Sequence, residues 1–293
     1  MSTNFFLDQS LETASLLPLQ IACERYYYKP YAAFFNAFHL RAFQSLGLDM
    51  GKDILDVGSF EGSYGCLLAE MLGQPTSMVG LELNPDAIAR ATPQAREVYT
   101  EMIQGNANEM PFPDNRFDTV LFLASLVSIL PDPATALKEA FRVLRPGGTL
   151  IVTVSTKEFQ SRYWQPRMFQ ALGLPALAER ARASMNHRMI QFHSYSFDEW
   201  KALIQNTGFT QADGFGFFPL SQAGFWSLLA WGPLRIFGGL TLLPFPRLHR
   251  LFSHLYHRGF QNSFQHTPRM LDPDQSAYVL IQTHKPNDMK EVR

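Results

Sequence analysis

Cysteine is scarce: the 293 residues hold only Cys23 and Cys66. So few thiols exclude a disulfide framework and suit a reducing compartment. Charge of neither sign is in excess, with 25 basic residues against 26 acidic ones and a formal net charge of −1. A dedicated nucleic-acid binder needs a basic surplus, so no nucleic-acid partner is expected. The opening stretch MSTNFFLDQSLETASLLPLQ carries acids and no basic lead into a long apolar run. No secretory signal is expected there, and the cytoplasm is the expected location. Repeats of fixed period and low-complexity tracts are not visible, and no residue is assigned as a metal ligand.

What is present is a core-forming composition, 46% hydrophobic and 13% aromatic, with Phe the largest aromatic contributor. From Asp53 to Ser155 short apolar runs alternate with helical patterns. The strand-like runs are Ile54 to Val57, Ser77 to Glu82, Val98 to Ile103, Phe117 to Leu123 and Thr149 to Ser155. Asn84-Pro85 and Asp132-Pro133 pair an N-cap with a first-turn proline, and Arg145-Pro146-Gly147-Gly148 reads as the turn closing the second of those helices. A further helix is expected over Ser196 to Asn206, then strands over Phe209 to Phe218 and Ala277 to Thr283. The fold class is therefore α/β: a Rossmann-like, seven-stranded, mostly parallel sheet with helices on both faces. Residues 1–50 form a helical cap, 51–285 the main domain and 286–293 a tail, with lid insertions at about 156–195 and 219–276.

The sharpest chemical signal is DILDVGSFEGSYG, Asp53 to Gly65, a strand running into a glycine turn that opens a helix. Such a turn lets backbone approach a cofactor and aims free N–H groups at it. Glu82 ends the next strand, where a carboxylate can accept from ribose hydroxyls. The plain alternative is that Gly58 and Gly62 serve packing alone and Glu82 is a solvated acid.

Together, DVGSFEG, GLELNPDAIARA, GNANEMPFPDNRFDTVLF and EAFRVLRPGGTLIVTVS resemble the successive motifs of class I S-adenosylmethionine-dependent methyltransferases, especially those acting on quinones, sterols and other small metabolites. The resemblance implies S-adenosyl-L-methionine as cofactor. It places the methionine part on the turn of Asp56, Gly58, Ser59 and Gly62, the ribose on Glu82, and the adenine against Leu83 with Asn106 and Ala107 at its edge. Ala124 and Ser125 would floor the site near the sulfonium. Two departures stand out: Phe60 replaces the usual central glycine, and Asn106 replaces a frequent aspartate.

Two rivals share parts of this pattern. A nicotinamide-dependent oxidoreductase uses the same strand, turn and acid, but Gly58, Gly62 and Gly65 do not spell G-x-G-x-x-G. A non-catalytic membrane-binding or partner-binding protein on a decayed methyltransferase scaffold is the second rival. Methyl transfer from a sulfonium is an in-line displacement that alignment and water exclusion can promote, and a hydroxyl or carbon acid acceptor also needs a base. The candidates are His187, His193 and Tyr195, while Tyr26, Tyr27, Tyr28 and Tyr31 form an aromatic cluster near the start. Both insertions leave carboxyl ends of strands, the ligand edge of an open parallel sheet. Because Phe215 to Phe245 is charge-poor and rich in Phe and Trp, it is expected to cover a lipophilic small-molecule acceptor, with peripheral membrane contact through 215–258 as a further expectation.

Overall fold

The computed structural model describes residues 16–47, 50–73, 77–124, 126–189, 193, 195–231 and 246–287. Strands β1 (Asp53–Val57), β2 (Ser77–Glu82), β3 (Glu101–Gln104), β4 (Phe117–Phe122), β5 (Leu144–Ser155), β6 (Asp213–Pro219) and β7 (Ser276–His284) form one sheet in the order β3-β2-β1-β4-β5-β7-β6. The first five are parallel, and β7 runs antiparallel between β5 and β6. β1 pairs with both β2 and β4, so the chain winds away from it in two directions. A crevice therefore opens at the carboxyl ends beside β1.

Local signals set the helices between these strands. Asn84 caps α4 (Pro85–Ala89), and Asp132 caps α7 (Pro133–Val143). Ser196 and Glu199 close a reciprocal capping box on α10 (Phe197–Gln205). Three boundaries differ from the sequence expectation. Thr92 caps α5 (Pro93–Val98), so residues expected to open a strand finish a helix, and β3 starts only at Glu101. Arg145 to Gly148 is an irregularity inside β5, where the pairing with β4 shifts register and Gly147 has φ +76°. The strand expected from Phe209 begins at Asp213, after Gly208 at φ +106°.

Each face of the sheet carries its own core. On one, α7 and α10 cover Val120, Phe122, Val152 and Val279 with Ala136, Leu137 and the fully buried Trp200. On the other lie α1 (Leu17–Arg25), α2 (Pro30–Leu46), α3 (Ser63–Leu72) and α11 (Leu220–Trp231). Phe34 and Phe38 of α2 meet Phe218 edge-on, at 5.9 and 5.4 Å between centroids. Arg41 is 1% exposed; its guanidinium donates to the carbonyls of Phe264, Thr267 and Pro268 and lies between the rings of Phe38 and Phe264. That clamp ties the end of α12 (Pro246–Gln265) to α2.

The first insertion contains a 3₁₀ turn at Phe159–Arg162, α8 (Trp164–Ala171) and α9 (Pro175–Met189). The second leaves β6 at Pro219, whose partner across the sheet is Ser276, so it begins and ends at the carboxyl edge. The described part of its apolar stretch is mostly packed, with Phe225 exposed. Trp226 and Leu229 are buried, and the Trp226 ring meets Phe159 at 5.4 Å and Tyr31 at 6.3 Å. The rest of that stretch, 232–245, lies outside the described residues. No helix among the described residues is long and apolar enough to cross a membrane.

Candidate functional site

The turn after β1 hangs from the end of β2, because the N–H groups of Gly58 and Ser59 both donate to the Leu81 carbonyl, at 2.7 and 3.2 Å. Gly58 (φ +73°) and Gly62 (φ +82°) occupy the left-handed region that side chains disfavour. Packing demands glycine there too. A Cβ on Gly62 would stand 2.6 Å from the Ala95 methyl, and one on Gly58 would stand 2.6 Å from Leu126. Backbone conformation and packing thus each require glycine at both positions.

Phe60 is also left-handed, at φ +51°. Its ring is 52% exposed and turned toward the Arg90 guanidinium, which pairs with Glu61 at 2.7 Å. The side chain thus leaves the turn rather than filling it. Ser59 is buried, and its hydroxyl has no hydrogen-bond partner among the described residues.

Beneath the turn, the Tyr99 hydroxyl donates to the buried carboxylate of Asp56 and accepts from the Gly65 N–H at 3.1 Å. Burial pushes the Asp56 carboxyl up to about 7, and the donated hydrogen bond works against that rise. Burial likewise holds the Tyr99 phenol well above its ordinary range. Sequence reasoning misses Tyr99, because it sits in the run taken for a strand and its contacts are distant in sequence.

Glu82 faces the turn from the end of β2. Its carboxylate accepts from the Phe60 N–H at 3.0 Å and from the Asn84 N–H at 2.8 Å. Each oxygen keeps further acceptor capacity. Leu83 stands next to it, 66% exposed. Asn106 is exposed, but its side-chain oxygen accepts from the Asn108 N–H at 2.9 Å, so its NH₂ is the freer group; Ala107 is buried beneath. This loop is clamped by α7: Glu139 accepts from the Met110 N–H, and Arg142 donates to the carbonyls of Met110 and Phe112 while pairing with Asp114. The Arg142 hydrogen bond holds the Glu139 carboxyl below its ordinary value.

Across β4, Ala124 adopts φ +52°, and its N–H donates to the Thr153 hydroxyl at 2.9 Å. Ser125 lies outside the described residues. The short α6 (Leu126–Ile129) follows, and its Ser128 carbonyl accepts from the His193 N–H at 3.0 Å. His193 Nδ1 is 3.1 Å from the Tyr195 hydroxyl, and Nε2 is 3.4 Å from the Pro131 carbonyl. His187 is not brought to this pair: it is exposed on α9 and takes part in none of these bonds. The tyrosine cluster is also divided. Tyr31 meets Trp226 inside, whereas Tyr27 stacks on His249 of α12. A cleft of about 690 Å³ near Arg162, Pro219, His266 and Asp274 is lined by none of the predicted site residues.

Residues 55–152 match the family model for a methyltransferase domain. The chain is 34% identical over 154 residues to a fatty-acid O-methyltransferase of Mycolicibacterium smegmatis, covering 53% of this chain and 54% of that one. It is 34% identical over 131 residues to the demethylmenaquinone methyltransferase of Bacillus licheniformis, covering 44% and 52%. The chain thus spans about half the length of these curated relatives. Among solved structures, the 4+2 cyclase SpnF superposes with a TM-score of 0.54 at 19% identity, covering 87% of this chain and 82% of that one. A Thermotoga maritima S-adenosylmethionine-dependent methyltransferase, described as a possible histamine N-methyltransferase, superposes at 0.52 with 17% identity, covering 91% and 99%. Likeness at that identity speaks for the fold alone. The match of residues 55–152 to a methyltransferase-domain model agrees with the motifs that resemble class I S-adenosylmethionine-dependent methyltransferases, and the sheet order agrees with the fold that resemblance implies.

Proposed function

We propose that this protein moves the methyl group of S-adenosylmethionine to a small lipophilic acceptor at the carboxyl edge of β1, β2 and β4. The observation that carries this reading is the bond from the Phe60 N–H to Glu82, which locks onto the glycine turn a carboxylate with the chemistry to accept from a diol. The donor set fits the cofactor's chemistry. Glu82 retains acceptor capacity for ribose hydroxyls, Ser59 has an unspent buried hydroxyl, and the buried Asp56 carboxylate would complement the ammonium that the cofactor carries. Leu83 and the Asn106 NH₂ suit the face and edge of an adenine. When bound, S-adenosylmethionine supplies an electrophilic methyl on an already activated leaving group.

The protein's own part is orientation and proton removal. With the Nε2 proton of His193 directed at the Pro131 carbonyl, Nδ1 is the acceptor for the Tyr195 hydroxyl. An acceptor hydroxyl would then lose its proton to Tyr195 Oη as the Tyr195 proton moves to His193 Nδ1, leaving an imidazolium. His187 has no place in this relay. The names of the two curated relatives, one acting on fatty acids and one on demethylmenaquinone, support a lipophilic acceptor. Contact with the bilayer that stores such acceptors belongs to the same reading.

Calorimetric titration with S-adenosylhomocysteine and with NADH tests the proposal. Binding of the first and not the second is expected. Labelled methyl transfer should then follow with a long-chain fatty acid or a demethylated quinol, and Tyr195→Phe should slow turnover of the quinol, which must lose a proton, without weakening cofactor binding, while an already ionised fatty acid should be less affected. Absence of S-adenosylhomocysteine binding at millimolar ligand would overturn the reading.

A further inference from the structure

No acidic residue occurs between Asp213 and Asp272, a stretch that contains Arg235, Arg247, Arg250, Arg258 and Arg269. Within it, α12 is two-faced. Phe260 and Phe264 are buried against α1 and α2, and Tyr256 continues their line, stacked on Phe260 at 5.9 Å between centroids. On the opposite face Arg250, Leu251, His254, Leu255 and Arg258 are exposed. Leu251 and Leu255, one turn apart, are 48% and 51% accessible. Neither Arg250 nor Arg258 forms an ion pair among the described residues.

A second chain segment extends this surface. At the junction of α1 and α2, Tyr27 stacks on His249 at 4.1 Å, Tyr28 stands edge-on to Tyr27, and the exposed Lys29 ammonium lies 5.0 Å from the Tyr28 ring. Amphipathic rings beside a cation suit the boundary between headgroups and acyl chains. Two acids stand at the margin, Glu24 of α1 beside His257 and Glu61, paired with Arg90, near Tyr28.

We infer that the outer face of α12, with Tyr27 to Lys29 at its edge, docks on an anionic lipid bilayer. Leu251 and Leu255 enter the acyl boundary while Arg250 and Arg258 meet lipid phosphates. The occupant follows from charge complementarity: a helix with exposed leucines, unpaired arginines and no carboxylate fits a surface that is negative outside and apolar beneath. A second copy of the same face would set arginine against arginine. This inference rests on the reading of a lipophilic acceptor and names where such an acceptor is collected. It also narrows the expected contact through 215–258 to the outer face of α12, since Trp226 and Leu229 of α11 are buried and only Phe225 of its large apolar residues is exposed, at 40%.

Co-sedimentation of the full chain with vesicles of phosphatidylcholine alone, and of phosphatidylcholine with phosphatidylglycerol at three to one, tests the inference. Binding is expected only to the anionic vesicles, and it should weaken at high salt. Arg250→Gln with Arg258→Gln should reduce partitioning by roughly 30-fold, and Leu251→Ser with Leu255→Ser by about tenfold or more. Arg250→Lys with Arg258→Lys should restore most of the binding. S-adenosylhomocysteine affinity, measured on each variant, should not change, which shows that the variants are folded and separates this inference from the methyltransferase reading. Unaltered vesicle binding in both double variants overturns the inference. So does wild-type self-association, seen by sedimentation equilibrium, that the leucine variants abolish without any vesicle binding.

Discussion

The two ends of the carboxyl edge are finished differently. Beside β1 and β2 the strands end in groups with bonding capacity to spare: the Glu82 carboxylate, the Ser59 hydroxyl, the exposed Leu83 and the outward Phe60. Beside β6 and β7 the strands are closed by rings, Phe34, Phe38 and Phe218 edge to edge, with Arg41 satisfied by three carbonyls. Much of that second region is invested in holding the insertions to the sheet, although both ring nitrogens of the buried His39 and the Trp226 indole N–H have no hydrogen-bond partner among the described residues. Ligand affinity should therefore be lost at one end and stability at the other.

Four changes test that division, beginning with the largest expected effect. Arg41→Ala strips three carbonyls of their donor and leaves a gap between two rings, so it should cost about 3–5 kcal/mol of unfolding free energy in urea. S-adenosylhomocysteine affinity measured at low temperature should be unaffected; a parallel loss would mean the two regions are one unit. Glu82→Ala should do the reverse, weakening S-adenosylhomocysteine by roughly 1.5–3 kcal/mol in calorimetry with little change in the urea midpoint. A change in the midpoint alone would assign Glu82 to the turn rather than the ligand.

Asp56 lies under the turn and should register in both measurements. Its carboxyl is raised to about 7 in the folded protein against an ordinary 3.8, so the folded state holds its proton more tightly. The resulting stability is fully present below about pH 4 and is lost as pH rises to about 7. Asp56→Asn should flatten that decline in urea titrations. A ligand ammonium favours the charged carboxylate, so S-adenosylhomocysteine affinity should climb about tenfold from pH 6 to pH 8, with proton release in calorimetry. Asp56→Asn should remove that climb. The smallest effect belongs to Phe60→Gly. Relief of the left-handed backbone, offset by a freer unfolded chain, should raise stability by about 0.5–1 kcal/mol. Unchanged S-adenosylhomocysteine binding would show that the outward ring is neutral toward the cofactor, and a sharp gain would show that it obstructs.

The same division governs what could be read from the sequence. Residues 53–155 are built from local signals, an apolar strand, a glycine turn and an Asx cap before proline, and these state their geometry within a few positions. Thr92-Pro93 carries the same cap-and-proline pattern as Asn84-Pro85; weighing it equally would have placed α5 correctly. Tyr99, Thr153 and Leu126 escaped because each acts on a partner far along the chain, Asp56, Ala124 and Gly58 respectively. The insertions were legible as segments, but their helices escaped for another reason. Their helices face cores supplied by other segments, as α12 does through Phe260 and Phe264, so no short window contains both sides of the contact.

The position of β7 has a consequence for synthesis. The last strand in sequence is next to last in space, lying between β5 and β6. Until residues 276–284 are made, β6 lacks its strand partner and has only the Gly216–Leu271 bridge, while the long β5 offers an open, apolar flank. The nascent chain carries the β5 edge unpaired while residues 156–275 are made and the β6 edge as well while 220–275 are made, and assembly of this side of the sheet waits on a non-local event. A polypeptide stopped just before Ser276 should therefore aggregate, although it holds every residue of the glycine turn and the Glu82 ledge.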